Sequence, residues 1–246
     1  MRTLGVDLAA EAATTALATI DWAPSGARVH HVQVSITDDV LVDAVRGATR
    51  TGIDCPLGWP TEFVRFLVAW SAGTFEPPVR TDKAWRRRLA YRRTDEVVRE
   101  RLGLVPLSVA ADRIAHPALR CAGILARLAA DGVRVDRVVV EAYPAGSLKC
   151  WGLPHRRYKG TANAPARHAL VDELLARAPW LDLGPHEPLC RASDHALDAV
   201  LAGLTARAAA LGLTHPPLPE DAAAAAKEGW IALPTGPLDE LDPITS

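Results

Sequence analysis

Three strand-like runs stand at the head of this chain before any helical period begins, and that order constrains the fold more than any other feature. Thr3 to Ala9 is short, apolar and followed by small residues. Thr14 to Trp22 is a second run. Arg28 to Ser35, where Val29 and His31 alternate with His30 and Val32, is a third. Pro24-Ser25-Gly26 is a turn signal between the last two. Consecutive short strands joined in this way make an antiparallel meander.

The period then changes. Asp38 to Ala48 sets Val40, Leu41, Ala44, Val45 and Ala48 at helical spacing. Thr51 to Leu57 reads as a fourth strand, stopped by Pro56 and Gly58, and Thr61 to Trp70 returns to helix. Pro77-Pro78 breaks the chain before a basic segment from Arg80 to Arg101. Leu107 to Asp131 reads as one long helix. Arg137 to Ala142, with Val138-Val139-Val140, reads as a fifth strand, and residues 145–163 as loop. Ala164 to Ala178 and Ser193 to Leu211 read as helices. The tail from Leu213 is rich in Pro and Ala and holds a short strand-like Trp230-Ile231-Ala232-Leu233. A strand that returns through a helix to lie parallel to an earlier one makes a right-handed crossover. The expectation is an α/β fold on one mixed sheet of order 3-2-1-4-5, with strands 1, 4 and 5 parallel. It is read as a single domain over residues 1–246, with a basic helical insertion at about 76–106 and a C-terminal extension at about 213–246.

With 246 residues, 49% of them apolar, the chain can bury a substantial core. Its formal net charge of −1 offers no overall basic excess, so nucleic acid would have to be met by a local patch. No apolar run approaches the roughly 20 residues of a membrane span. The first residues run straight into a strand without a signal-peptide pattern, so a cytoplasmic location is expected. Cys55, Cys121, Cys150 and Cys190 form no Cys-x-x-Cys knuckle and are expected to be reduced thiols.

The acids end apolar runs. Asp7 closes Leu4-Gly5-Val6, Asp54 closes Gly52-Ile53, and Glu141 closes Val139-Val140. If strands 1, 4 and 5 are parallel neighbours, these three carboxylates meet at one edge of the sheet, where ligands of open α/β sheets bind. Asp194 and Asp198, four residues apart, share a helix face beside a stripe of Leu197, Val200, Leu201 and Leu204. Carboxylates gathered this closely require counter-charge, and hard divalent cations, Mg²⁺ or Mn²⁺, supply it. Two such ions roughly 4 Å apart serve phosphodiester hydrolysis in known sites. The expected metal ligands are Asp7, Glu141, Asp194 and Asp198, and the expected catalytic acids Asp7, Asp54, Glu141 and Asp198. Each also has a plainer reading: a turn residue for Asp7 and Asp54, helix-dipole complementation for Asp194, a solvated face for Asp198.

Gly5-Val6-Asp7-Leu8-Ala9, Ile53-Asp54-Cys55-Pro56-Leu57-Gly58, Arg93-Thr94-Asp95, Glu141-Ala142-Tyr143-Pro144-Ala145 and Asp194-His195-Ala196-Leu197-Asp198-Ala199 follow one another in that order. As an ordered set they resemble the domain-of-unknown-function family 429, whose members are described as predicted nucleases with an RNase H fold. The resemblance runs from residue 3 to about 235, including Glu228-Gly229-Trp230-Ile231. It implies an RNase H-like sheet. By that similarity Asp7, Asp54, Glu141 and Asp198, with Asp194 beside them, match the family's acidic positions. A more remote resemblance to RuvC-type resolvases places acids on strands 1 and 4 and on the last helix; Glu141 departs from that set.

Arg80, Lys83, Arg88, Arg92 and Arg93 lie in the basic segment, interleaved with Trp85 and Tyr91. They are expected either to hold a phosphate backbone with an aromatic for stacking, or to form a solvated helix balanced by Asp82, Asp95, Glu96 and Glu100. Arg93-Thr94-Asp95 has the further reading of an internal ion pair. Lys159, in the basic loop His155 to Gly160, is expected either to close over a phosphate or to carry an incidental loop charge. His195 is a candidate general base or a structural histidine. The leading expectation is a metal-dependent nuclease acting on nucleic acid. A non-catalytic nucleic-acid- or nucleotide-binding protein of the same fold is the alternative. An ATPase or phosphotransferase is disfavoured, because Leu-Ala-Ala-Glu-Ala-Ala follows Asp7 where a glycine- and hydroxyl-rich phosphate loop would be needed.

Overall fold

The computed structural model describes residues 1–243, and in it six strands form one mixed sheet. They are β1 (Arg2–Asp7), β2 (Ala16–Ala23), β3 (Gly26–Val34), β4 (Arg50–Asp54), β5 (Val139–Glu141) and β6 (Leu181–Asp182). The order across the sheet is β5-β4-β1-β2-β3-β6. β1, β2 and β3 are the antiparallel meander, while β4 runs parallel to β1 and β5 parallel to β4. The sheet differs from the expected five-strand order by β6, which lies outside β3 and parallel to it. Two residues are too few to show a period of two.

Eleven α-helices surround the sheet among the described residues: α1 (Asp38–Arg46), α2 (Thr61–Ser71), α3 (Lys83–Ala90), α4 (Arg93–Leu102), α5 (Ala115–Ala130), α6 (Val135–Val138), α7 (Pro144–Cys150), α8 (Ala164–Arg177), α9 (Glu187–Ala192), α10 (Asp194–Ala210) and α11 (Ala222–Glu228). Several differ from the sequence expectation. The basic segment is two helices, because the chain is extended at Tyr91 and Arg92. There the Asp95 carboxylate reaches back to accept from Arg92 N at 2.9 Å, which starts α4 as a capping acid does. The helix expected from Leu107 begins only at Ala115. The fifth strand is shortened by the helical turn α6, and residues expected as loop after Ala145 belong to α7. In the tail, Ile231 forms a single parallel bridge to Glu141 beyond the sheet edge.

α10 is the central element. Residues Ala196 to Ala208 are all buried, so this helix is enclosed on every side and not merely along one stripe. Its approach to the sheet depends on small residues. A Cβ at Gly5 would lie 1.9 Å from the Ala199 carbonyl oxygen, and one at Gly52 would lie 2.2 Å from that of Ala202. Only glycines on β1 and β4 let the helix backbone rest directly on the strands. On this face α10 and α8 pack against Ala18, Ile20 and Trp22 of β2. On the other face α1 and α5 cover Leu4, Val6, Ile53 and Val139. Burying each such leucine or isoleucine contributes roughly 1.5–3 kcal/mol. All four cysteines are free thiols, and Cys55 and Cys121 fill the second core. No helix of the described residues is long and apolar enough to cross a membrane.

Candidate metal centre

Parallel pairing brings the first two acids together. Asp7 and Asp54 are register partners at the carboxyl ends of β1 and β4, so their side chains leave the sheet on the same face. That face carries α10, and close packing over Gly5 and Gly52 delivers Asp198 to the same point. Carboxylate oxygens of Asp7, Asp54 and Asp198 all lie within 4.8 Å of one another. Asp198 is fully buried, while Asp7 and Asp54 retain 14% and 20% side-chain exposure, so the group has an opening.

Three side chains surround it. His195 Nδ1 lies 2.6 Å from Asp7 Oδ2. Tyr158 donates its hydroxyl to Asp198 Oδ1 at 2.8 Å. The Lys159 ammonium donates to Asp198 Oδ2 at 2.5 Å and stands 3.9 Å from Asp54 Oδ2. Burial pushes the Asp198 carboxyl up to about 6, with the Asp7 charge adding to the rise and Lys159 opposing it. Burial likewise pushes Asp54 well above the usual carboxylate range, against the pull of Lys159. The hydrogen bond to Asp7 raises His195. Burial acts to lower Lys159, but the charges of Asp198 and Asp54 outweigh it and hold the ammonium charged.

Over residues 5–223 the sequence matches the model of a family described as "Protein of unknown function (DUF429)". The chain belongs to this family. No curated protein and no solved structure matches it.

In this DUF429 chain Glu141 does not join the three aspartates. β5 pairs with β4 so that Glu141 is the partner of Ile53, one residue before Asp54. A one-residue offset sends a strand side chain to the opposite face. There both Glu141 oxygens are taken by Arg92, whose Nη1 and Nη2 each donate at 2.7 Å, and Oε2 also accepts from Leu57 N at 3.0 Å. Arg92 further donates to Asp95 and to the Glu228 carbonyl. Arg92, Asp95 and Glu141 are all fully buried. Against the expectation, Glu141 lies outside the group of three, and Arg92 is committed to Glu141, Asp95 and the Glu228 carbonyl.

Asp194 is also outside the group; its Oδ2 accepts from Gly160 N at 3.1 Å. Arg93 pairs with Asp221 and Glu100, while the Asp95 carboxylate is taken by Arg92, and the Arg93 backbone N–H donates to Glu228 Oε2. Arg80, Lys83 and Arg88 are exposed. Trp85 packs edge-on against Phe66, 6.3 Å between ring centres. A cavity of about 150 Å³ is lined by residues of both groups, Asp54 and Lys159 of one and Glu141 and Arg92 of the other, with Tyr143 and Leu107. Sequence reasoning missed Tyr158: a lone tyrosine in an irregular segment carries no periodic signal.

Proposed function

We propose that this protein is a divalent-metal-dependent nuclease on an RNase H-like sheet, with Asp7, Asp54 and Asp198 holding Mg²⁺ or Mn²⁺. The observation that carries the reading is the convergence of these three carboxylates from β1, β4 and α10, at the carboxyl ends of parallel strands. The donor set fits such an ion: all ligands are hard oxygens, and burial leaves Asp54 and Asp198 short of counter-charge. A bound ion would supply Lewis-acid stabilisation of a phosphoryl oxygen.

The chain's own residues would do the rest. Asp7 orients the His195 ring, which is 41% exposed; with Nδ1 turned to Asp7, Nε2 is left to accept or return a proton. Tyr158 fixes the Asp198 carboxylate. The exposed cations Arg80, Lys83 and Arg88 supply sequence-independent attraction for a phosphate backbone. Glu141, Arg92 and Asp95 hold the neighbouring chain in place.

The test is hydrolysis of labelled single-stranded, duplex, hybrid and branched substrates with Mg²⁺ or Mn²⁺. Cleavage should fall by about two to three orders of magnitude in Asp7→Asn, the rate equivalent of roughly 3–4 kcal/mol of transition-state stabilisation. Cleavage undiminished in that variant would overturn the assignment.

A further inference from the structure

The backbone of Lys159 is anchored on both sides. Arg167, fully buried, donates through Nη1 to the carbonyls of Tyr158 and Gly160 on either side of it, at 2.8 and 3.1 Å. The other nitrogens of the same guanidinium bind the carbonyls of Arg191 and Ala192, just before α10. Asn163 Nδ2 donates to the Lys159 carbonyl at 2.7 Å, and Asp194 accepts from Gly160 N. The turn is bent by Arg157 and Gly160, at φ +58° and +83°. A left-handed non-glycine residue is uncommon and is maintained here by the surrounding bonds. These contacts tie the lysine backbone to the segment that carries His195 and Asp198. From this anchored backbone the side chain, itself about half exposed, reaches Asp198 Oδ2 at 2.5 Å.

Charge decides what this means. With His195 neutral, as its role as a base requires, three carboxylates and one ammonium sum to −2, which a single divalent ion neutralises. A second divalent ion would leave an excess of +2 beside a mostly buried group, and it would compete with Lys159 for Asp198 Oδ2. We propose that Lys159 is the built-in second cation of this centre, so that the protein binds one divalent ion and the ammonium takes the charge-balancing place that a second ion fills in two-metal sites. The proposal rests on the reading of Asp7, Asp54 and Asp198 as metal ligands. It assigns Lys159 a positioning role toward the phosphoryl group that such an ion would bind.

The experiment is Mn²⁺ titration of the full chain by calorimetry and by electron paramagnetic resonance, on wild type, Lys159→Met, Lys159→Arg and Asp7→Asn. Circular dichroism confirms that each is folded. Wild type should bind one Mn²⁺ with the spectrum of an isolated ion. Lys159→Met should bind two, with the broadening of a magnetically coupled pair, and Lys159→Arg, which restores the charge, should return to one. Two ions in wild type, or one ion in Lys159→Met, would overturn the role of Lys159 while leaving the metal site standing. Binding by Lys159→Met but not by wild type would overturn it in favour of a lysine that excludes metal altogether. Binding by neither, or binding undiminished in Asp7→Asn, would overturn the metal-site reading itself.

Discussion

The two faces of the sheet edge carry carboxylate groups built from similar parts and brought to opposite ends. On one face Glu141 and Asp95 share Arg92, whose forked guanidinium meets both acids through paired hydrogen bonds, in full burial. On the other face Asp7, Asp54 and Asp198 share Lys159, a point charge that reaches Asp198 closely and Asp54 only at 3.9 Å. An arginine fork satisfies the geometry of both carboxylates, which also accept backbone N–H groups. The two acids and one guanidinium are left with one net negative charge but are shut away from solvent. A single ammonium among three acids leaves net negative charge and an opening to solvent. The first arrangement is a structural clamp and the second can take up a cation. Residue type alone does not separate them; the counter-ion and its geometry do.

The largest effect that would break this contrast lies at the clamp. Arg92→Leu leaves Glu141 and Asp95 buried without counter-charge and should cost about 3–5 kcal/mol of stability, read by urea denaturation. Asp54→Asn, by removing one of three like charges, should leave metal-free stability unchanged or raised. Comparable losses in both variants would mean that the open centre is as structural as the clamp.

A smaller effect separates the two through pH. In the fold Asp198 titrates at about 6, against an ordinary value of 3.8, because burial disfavours its charge. The native state therefore holds a proton that the unfolded state releases between these values, so the contribution of this group to metal-free stability falls as pH rises from about 4 to about 6 and is level above. The contribution of this group is at most about 3 kcal/mol. Asp54, raised in the same direction, adds to the slope. Saturating Mn²⁺ should reverse it, since the ion binds the deprotonated acids. Denaturation curves across this range with and without Mn²⁺ check the sign; a slope unaffected by the metal would count against the centre.

The contrast was only half legible in the sequence. The meander and parallel strands could be read from apolar runs and turns, and Asp7 and Asp54 could be read because each ends its strand. Glu141 ends a strand too, but its face depends on a one-residue offset between β4 and β5 that no run length reveals. Asp198 was legible as an acid within a helix, yet what brings it to the sheet is the glycine–helix approach at Gly5 and Gly52. Arg92 was indistinguishable from its basic neighbours, because burial is decided by the chain break before α4 and by partners 49 and 136 residues away. Lys159 stood in an irregular segment, where only tertiary anchors set the direction of a side chain.

The smallest stability effect belongs to the cations that neither region uses. Arg80→Ala, Lys83→Ala and Arg88→Ala change exposed side chains and should each alter stability by no more than about 0.5 kcal/mol. If they meet a phosphate backbone, each loss should weaken nucleic-acid binding similarly across sequences and reduce the slope of log K against log salt by about 1. Arg93→Ala provides the opposing case. Its guanidinium is committed to Asp221 and Glu100, so its loss should lower stability while leaving the salt slope unchanged. Filter binding over a salt series, run beside denaturation, reads both quantities on the same proteins. If Arg93→Ala moved the salt slope and the three exposed cations did not, the division between structural and substrate-facing arginines would have to be redrawn.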